Sequence, residues 1–190
     1  MKIYDISQEL FSSRLFPGDS PATSYLASEI AKGDMVNLTK IKMSVHNGTH
    51  VDAPCHFIKD GKTITEMDLS KFIGQAKVVT GSGVLTAQDI HRFMADKPKK
   101  ILLKGDLELS VEAAEAFLDY DVELIGLESV SIGPIDNPQP VHMVLLGAEI
   151  IALEGLVLTD VPDGYYFLSA LPLKLEGSDG APCRAVLMEM

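Results

Sequence analysis

From Thr86 to Leu127 the chain reads TAQDIHRFMADKPKKILLKGDLELSVEAAEAFLDYDVELIGL. Two periodicities alternate along it. Thr86 can cap a helix, and Ile90, Phe93 and Met94 then recur at helical spacing on one face. Ile101-Leu102-Leu103 is a short apolar run of the kind that makes a buried strand. Ser110 can cap a second helix, predicted to bury Val111, Ala114, Phe117 and Leu118, and Val122 to Leu127 reads as another strand. Strands that alternate with helices predict an α/β fold, a sizeable mixed β-sheet with flanking helices.

The pattern extends both ways. Met1 to Ile6 reads as a strand that opens the fold. Pro17, Gly18 and Pro21 make residues 11–23 a loop. Residues 35–46 put Val36 and Leu38 in one phase and Ile41, Met43 and Val45 in the other, which predicts strand with a turn or bulge between. Asp60-Gly61 signals a tight turn, and Ala76 to Thr80 a short strand. Beyond the centre, Gly133 to Pro140 is predicted irregular, His142 to Gly147 helical and Glu149 to Leu158 extended. Asp163-Gly164 turns the chain, and Tyr166 to Leu175 and Ala185 to Met188 supply the last strands.

Composition narrows the function classes. The 190 residues, 46% hydrophobic, suit a single domain over 1–190 with a full core. No apolar run approaches the roughly 20 residues of a membrane helix, and the N-terminus lacks the apolar stretch of a signal peptide. Cys55 and Cys183 are too few for a disulfide framework, so a reducing, cytoplasmic setting is expected. A net charge of −11 argues against nucleic acid. The one basic cluster, Lys97, Lys99 and Lys100, reads as a solvated turn.

The chemistry is densest in Val45-His46-Asn47-Gly48-Thr49-His50-Val51-Asp52-Ala53-Pro54-Cys55-His56, which holds three of the five histidines. Imidazole and carboxylate bind zinc, manganese or iron while leaving a position open for water. His46, His50, Asp52 and His56 are all an even number of residues apart and would share one face of a straight strand. Such a strand would separate His46 from His50 by about 13 Å, at roughly 3.3 Å per residue. The two can meet one ion only if the backbone curves; Gly48 permits the curve and Pro54 fixes the exit. A structural zinc site would be richer in cysteine, and Cys55, out of phase with the ligands, is read as packing. His142 and Glu154 are the candidates for a second half of the shell. Glu154 interrupts the apolar run Ile150 to Leu158, where a carboxylate is costly without a cation; the alternative is a solvent-facing position on an edge strand. His91, beside Arg92, is read as surface.

His46-x-Gly48-Thr49-His50-x-Asp52-x-Pro54-x-His56 resembles the signature of the metal-dependent cyclase-like hydrolases, which include the bacterial kynurenine formamidases and the isatin hydrolases. Phe16-Pro17-Gly18-Asp19, the His142 region, Leu153-Glu154-Gly155-Leu156 and Ser178-Asp179-Gly180-Ala181-Pro182-Cys183-Arg184-Ala185 extend the resemblance over nearly the whole chain. It implies a swivelling β/α/β-type fold that assembles as dimers or tetramers. It also implies two metal ions per subunit, zinc in the formamidases and manganese in the isatin hydrolases. By the same resemblance His46, His50 and Asp52 bind one ion, Asp52 and Glu154 bridge to a second that His142 also holds, and His56 is the catalytic acid/base. Phe16 stands where formamidases carry a tryptophan that lines the substrate pocket; this chain has no tryptophan. The implied activity is hydrolysis of a C–N amide bond in a small aromatic substrate. N-formyl-L-kynurenine, cleaved to kynurenine and formate in tryptophan breakdown, comes first. The rivals are hydrolysis of isatin or another cyclic amide, and a metal-binding protein without turnover.

Overall fold

A computed structural model of the chain describes residues 1–189. The elements run β1 (Ile3–Asp5), β2 (Thr23–Ser28), β3 (Leu38–Lys42), β4 (His50–Asp52), β5 (Ile73–Thr80), β6 (Gly83–Leu85), α1 (Ala87–Phe93), β7 (Lys100–Lys104), β8 (Leu107–Leu109), α2 (Val111–Ala116), β9 (Leu124–Leu127), α3 (Gln139–Gly147), β10 (Ile151–Glu154), β11 (Gly164–Ser169), β12 (Gly180–Pro182) and β13 (Val186–Met188). Nine strands form one sheet in the order β1-β13-β11-β5-β7-β9-β10-β4-β12. Its centre, β5-β7-β9-β10, is parallel, and the strands on either side are antiparallel. The fold is therefore α/β with a mixed sheet, as the alternating periodicities predict.

The central helices start where their caps place them. The Thr86 hydroxyl accepts from the Asp89 N–H while the Asp89 carboxylate returns to Thr86, and Ser110 caps α2. Both devices satisfy N–H groups that a helix start leaves unpaired. Ile90, Phe93 and Met94 are buried as expected, and so are Ala114 and Phe117, but the inward face of the second helical segment is shifted: Val111 and Leu118 are exposed, and Ala113 and Ala116 are buried. The reason is that α2 packs between α1 and α3, where only small side chains let neighbouring helices approach.

The sheet carries a core on each face. Ile101 and Leu103 of β7 enter the core on the helix side, and Leu102 enters the other, which is why the strand is apolar without alternation. The core away from the helices joins Val51 and Ala181, from one end of the strand order, to Leu168 and Leu187, from the other. A sheet whose distant strands share one core must curl around it.

Other differences from the sequence reading have local causes. The extended run Glu149 to Leu158 is strand only from Ile151 to Glu154, because Glu149 and Gly155 take left-handed φ values of 56° and 68°. Lys100 does not belong to a solvated turn: it is buried in β7, its Nζ 2.6 Å from the Glu123 carboxylate. Tyr166 to Leu175 is strand only as far as Ser169, and β12 is an element the sequence reading lacked. Of residues 35–46 only Leu38–Lys42 is strand, forming with β2 a bulged hairpin outside the main sheet.

Gly155 joins fold to site. A Cβ there would lie 2.6 Å from the Gly48 carbonyl oxygen, at φ +68°. Gly155→Ala is expected to lose about 1–3 kcal/mol through left-handed strain and overpacking, read as a melting temperature several degrees lower. An unchanged melting curve would show that the Gly48 loop yields freely.

Candidate metal centre

The curve in the 45–56 stretch begins at a turn closed by Asn47, whose Oδ1 accepts from the Ser44 N–H at 2.8 Å and whose N–H donates to the Ser44 carbonyl at 3.2 Å. Gly48, at φ 71°, then swings the chain into β4. β4 runs between β10 and β12, with His50 opposite Glu154 and Pro182, and Asp52 opposite Ala152 and Gly180. Residues opposite one another across strands project to one side, so His50, Asp52 and Glu154 share a face. His142 comes to that face from α3. Pro54 opens a short 3-10 turn that carries His56. A Cβ at Gly180 would sit 2.9 Å from His46 Cε1, so a glycine on β12 leaves room for that ring.

Asp52 is the hub. Its Oδ1 lies 2.9 Å from His46 Nδ1 and 3.4 Å from His50 Nε2, and its Oδ2 lies 3.5 Å from His142 Nε2. Glu154 closes the ring, with Oε2 3.4 Å from His50 Nε2 and Oε1 3.2 Å from His142 Nε2. The Ile132 N–H donates to the same Oε1 at 2.6 Å. Glu154 is thus interior, on a strand between β9 and β4 and 3% exposed; the edge-strand alternative is excluded. Two groups of candidate ligand atoms lie within 4.8 Å of one another: His46 with Asp52 and His56, and His50 with Asp52 and Glu154. Asp52 belongs to both.

Electrostatics follow from two carboxylates sealed among imidazoles. Burial pushes the Asp52 carboxyl up, but the imidazoles of His142 and His46 beside it prevail and hold it below the usual range. Burial and the nearby Asp52 charge raise Glu154, and the bonds from His142 and His50 again win. The imidazoles move the other way. Burial lowers His142, yet the Asp52 carboxylate beside it and its bond to Glu154 hold it at about 10; burial also lowers His46, which its bonds to Asp52 and Asp179 hold at about 9. His56 is the exception, since burial leaves it below the ordinary imidazole value. Two atoms among the described residues are buried without a hydrogen bond, Ser131 Oγ and Asp52 Oδ2, and the latter has His142 Nε2 only as near as 3.5 Å. A buried, orphaned carboxylate oxygen is costly unless a cation meets it. Nitrogen and oxygen donors of this kind fit zinc, manganese or another divalent transition metal.

All five sequence-predicted ligands, His46, His50, Asp52, His142 and Glu154, are therefore brought to one place. His56 stands beside them, its ring stacked on His46 at 4.1 Å between centroids. A cavity of about 260 Å³ opens on the cluster, with Phe16, Phe57, Val130 and Pro138 as its apolar walls. A larger groove, about 720 Å³, lies beside Asn47, Gly48 and Thr49 and contains none of the predicted ligands. Cys55 packs against the core with its Sγ 3.7 Å from the Ser178 carbonyl, outside the cluster. His91 is exposed and bonds to Tyr120. Sequence reasoning overlooked Phe57, whose ring stacks on His142 at 4.3 Å, and Asp179, which lies 2.9 Å from His46 and 3.1 Å from His56. Phe57 directly follows the ligand stretch and Asp179 lies inside the closing one, but an Asp before Gly reads locally as a turn.

The family described as "Putative cyclase" matches residues 4–134. The chain is 33% identical to a protein named kynurenine formamidase from Salinibacter ruber, over 100% of this chain and 98% of that one. A structure titled as a predicted metal-dependent hydrolase from Bacillus stearothermophilus superposes with a TM-score of 0.83 at 28% identity, covering 98% of this chain and 97% of that one. Isatin hydrolase A from Labrenzia aggregata shares the fold, with a TM-score of 0.83 at 22% identity over 98% of this chain and 93% of that one.

Proposed function

From the family to which this chain belongs, the cyclase family of metal-dependent hydrolases, we propose an arylformamidase that cleaves N-formyl-L-kynurenine to kynurenine and formate. The observation that carries the proposal is the buried cluster around Asp52, open to a small cavity with phenylalanine walls. The enzyme is one hydrolase domain over residues 1–190.

His46, His50 and Asp52 would hold one ion, and Asp52, Glu154 and His142 a second: zinc, two per subunit, with manganese as the alternative. A divalent metal held by these residues would supply a water of pKa near 7 and a Lewis acid for a carbonyl. His56 supplies the proton traffic, taking a proton from the attacking water and returning it to the leaving nitrogen. Its depressed pKa keeps the imidazole neutral and ready to accept at neutral pH. Phe16 and Phe57 flank the cavity and would take the faces of the substrate ring. The products are an aromatic amine and formate.

The test is hydrolysis of N-formyl-L-kynurenine, followed by kynurenine absorbance, with zinc- and manganese-loaded protein against an EDTA-stripped control. Fast release that vanishes on stripping is expected. A protein that keeps its metal and turns nothing over would refute the formamidase reading. Phe16 in place of tryptophan favours a cyclic amide of the isatin type as the second reading, and isatin would then be the next substrate.

The working form is a homo-oligomer, a dimer or tetramer. Support comes from the β2–β3 hairpin, whose Tyr25, Leu26, Leu38 and Ile41 are 47–60% exposed. The register places Leu26 and Ile41 on one face of the hairpin and Tyr25 and Leu38 on the other; a two-stranded hairpin is marginal in water alone, and apolar side chains bared on both faces mark an interaction site. Charging it with Leu26→Glu and Ile41→Glu is expected to halve or quarter the mass seen by light scattering; an unchanged mass would place the interface elsewhere. No helix among the described residues is long and apolar enough to cross a membrane. A cytoplasmic location, with a small aromatic amide as partner and neither nucleic acid nor membrane, is supported by the net charge of −11 and two free thiols.

A further inference from the structure

We propose that Asp179 is a positioning residue that sets the tautomers of His46 and His56 together, through one carboxylate oxygen. The inference rests on the reading of His46 as a metal ligand and His56 as the acid/base.

Asp179 Oδ2 lies 2.9 Å from His46 Nε2 and 3.1 Å from His56 Nδ1. A carboxylate only accepts, so each ring nitrogen that faces it carries the hydrogen. His46 faces a carboxylate with each nitrogen, Nε2 to Asp179 and Nδ1 to Asp52 Oδ1, both at 2.9 Å; an ion taken up at Nδ1 would displace that hydrogen and leave the Nε2–H donating to Asp179. The hydrogen on Nδ1 leaves neutral His56 with its lone pair on Nε2. One oxygen therefore presents the ligand atom of His46 toward the Asp52 hub and the basic atom of His56 away from Asp179. Metal-bound imidazoles commonly donate their other N–H to a carboxylate, which fixes the tautomer and the ring plane. Here a single carboxylate serves a ligand and its acid/base neighbour at once. The two rings, stacked 28° from parallel, present both nitrogens to it.

The backbone places Asp179 for this. Its carbonyl accepts from the Ala53 N–H at 2.9 Å, and the Ser178 carbonyl accepts from the Ile64 N–H at 2.9 Å. The next residue, Gly180, pairs with Asp52 across the strands. The side chain itself is 46% exposed, so its removal leaves no hole in the core and the fold is expected to survive.

Asp179→Ala decides the matter in zinc-loaded protein. Long-range proton–nitrogen NMR reads the tautomer of each of the five histidines without any substrate. Wild type is expected to show His56 as the Nδ1–H form and His46 as the Nε2–H form. The variant is expected to lose the Nδ1–H form of His56, bind zinc about 10- to 100-fold more weakly in chelator competition, and lose kcat with little change in KM. A His56 tautomer that is the same in Asp179→Ala as in wild type, with zinc affinity unchanged, would overturn the proposal. A wild type that binds zinc yet leaves N-formyl-L-kynurenine intact would sink the substrate reading alone, since the NMR and zinc measurements need no turnover.

Discussion

Asp52→Ala is expected to empty the site and end hydrolysis. The carboxylate is the one side chain common to both groups of candidate ligand atoms, with imidazoles from three directions on its two oxygens. Without it His46 faces only Asp179, and Glu154 is left to gather His50 and His142 alone. Activated water and a polarised carbonyl are worth several kcal/mol to the transition state. At 1.36 kcal/mol per decade, kcat/KM should drop by about 10³-fold or more. Elemental analysis of the purified protein should find it stripped of metal, and His50→Ala should behave alike. An Asp52→Ala protein that still carries its metal and hydrolyses the formamide would disprove the hub.

His56→Ala tests the division of labour. If His56 is the acid/base, kcat falls by about 10²–10⁴-fold, the usual worth of a positioned proton carrier, while the metal content stays at the wild-type level. The geometry makes this a real choice, because His56 also stands with His46 and Asp52 in a group whose ligand atoms lie within 4.8 Å. Loss of metal together with activity would make His56 a ligand and move the proton transfer to another group. Its depressed pKa, caused first by burial, is what a base needs and also what a neutral ligand needs, so metal content and kcat must be measured on the same preparation.

Much of the architecture is legible in local pattern. Thr86 and Ser110 announce α1 and α2, and Ile101-Leu102-Leu103 announces a strand covered on both faces. These signals survive because each depends on neighbours within a few residues. Gly48 and Pro54 likewise mark where the ligand stretch must bend, and it bends there. Ala114 and Phe117 are inward as the pattern predicts, but Val111 and Leu118 give way to Ala113 and Ala116, because those alanines become buried only when α1 and α3 flank the helix. The burial of Lys100 depends on Glu123, a residue of the next strand's approach. The short β12 has no periodicity to read; it is a strand because β4 offers it a free edge.

By itself the sequence determined the chemistry: imidazoles and a carboxylate around a forced bend, an acidic surface, and helices and strands in alternation. Tertiary structure alone decided which groups meet. Glu154 faces His50 and not solvent because β10 pairs with β4 in that register, and a slip of one residue would turn it to the other face. Asp179 reaches His46 and His56 because β12 lies along β4. Register between strands far apart in the chain is set by the packing of a shared core, which no local pattern of residues encodes.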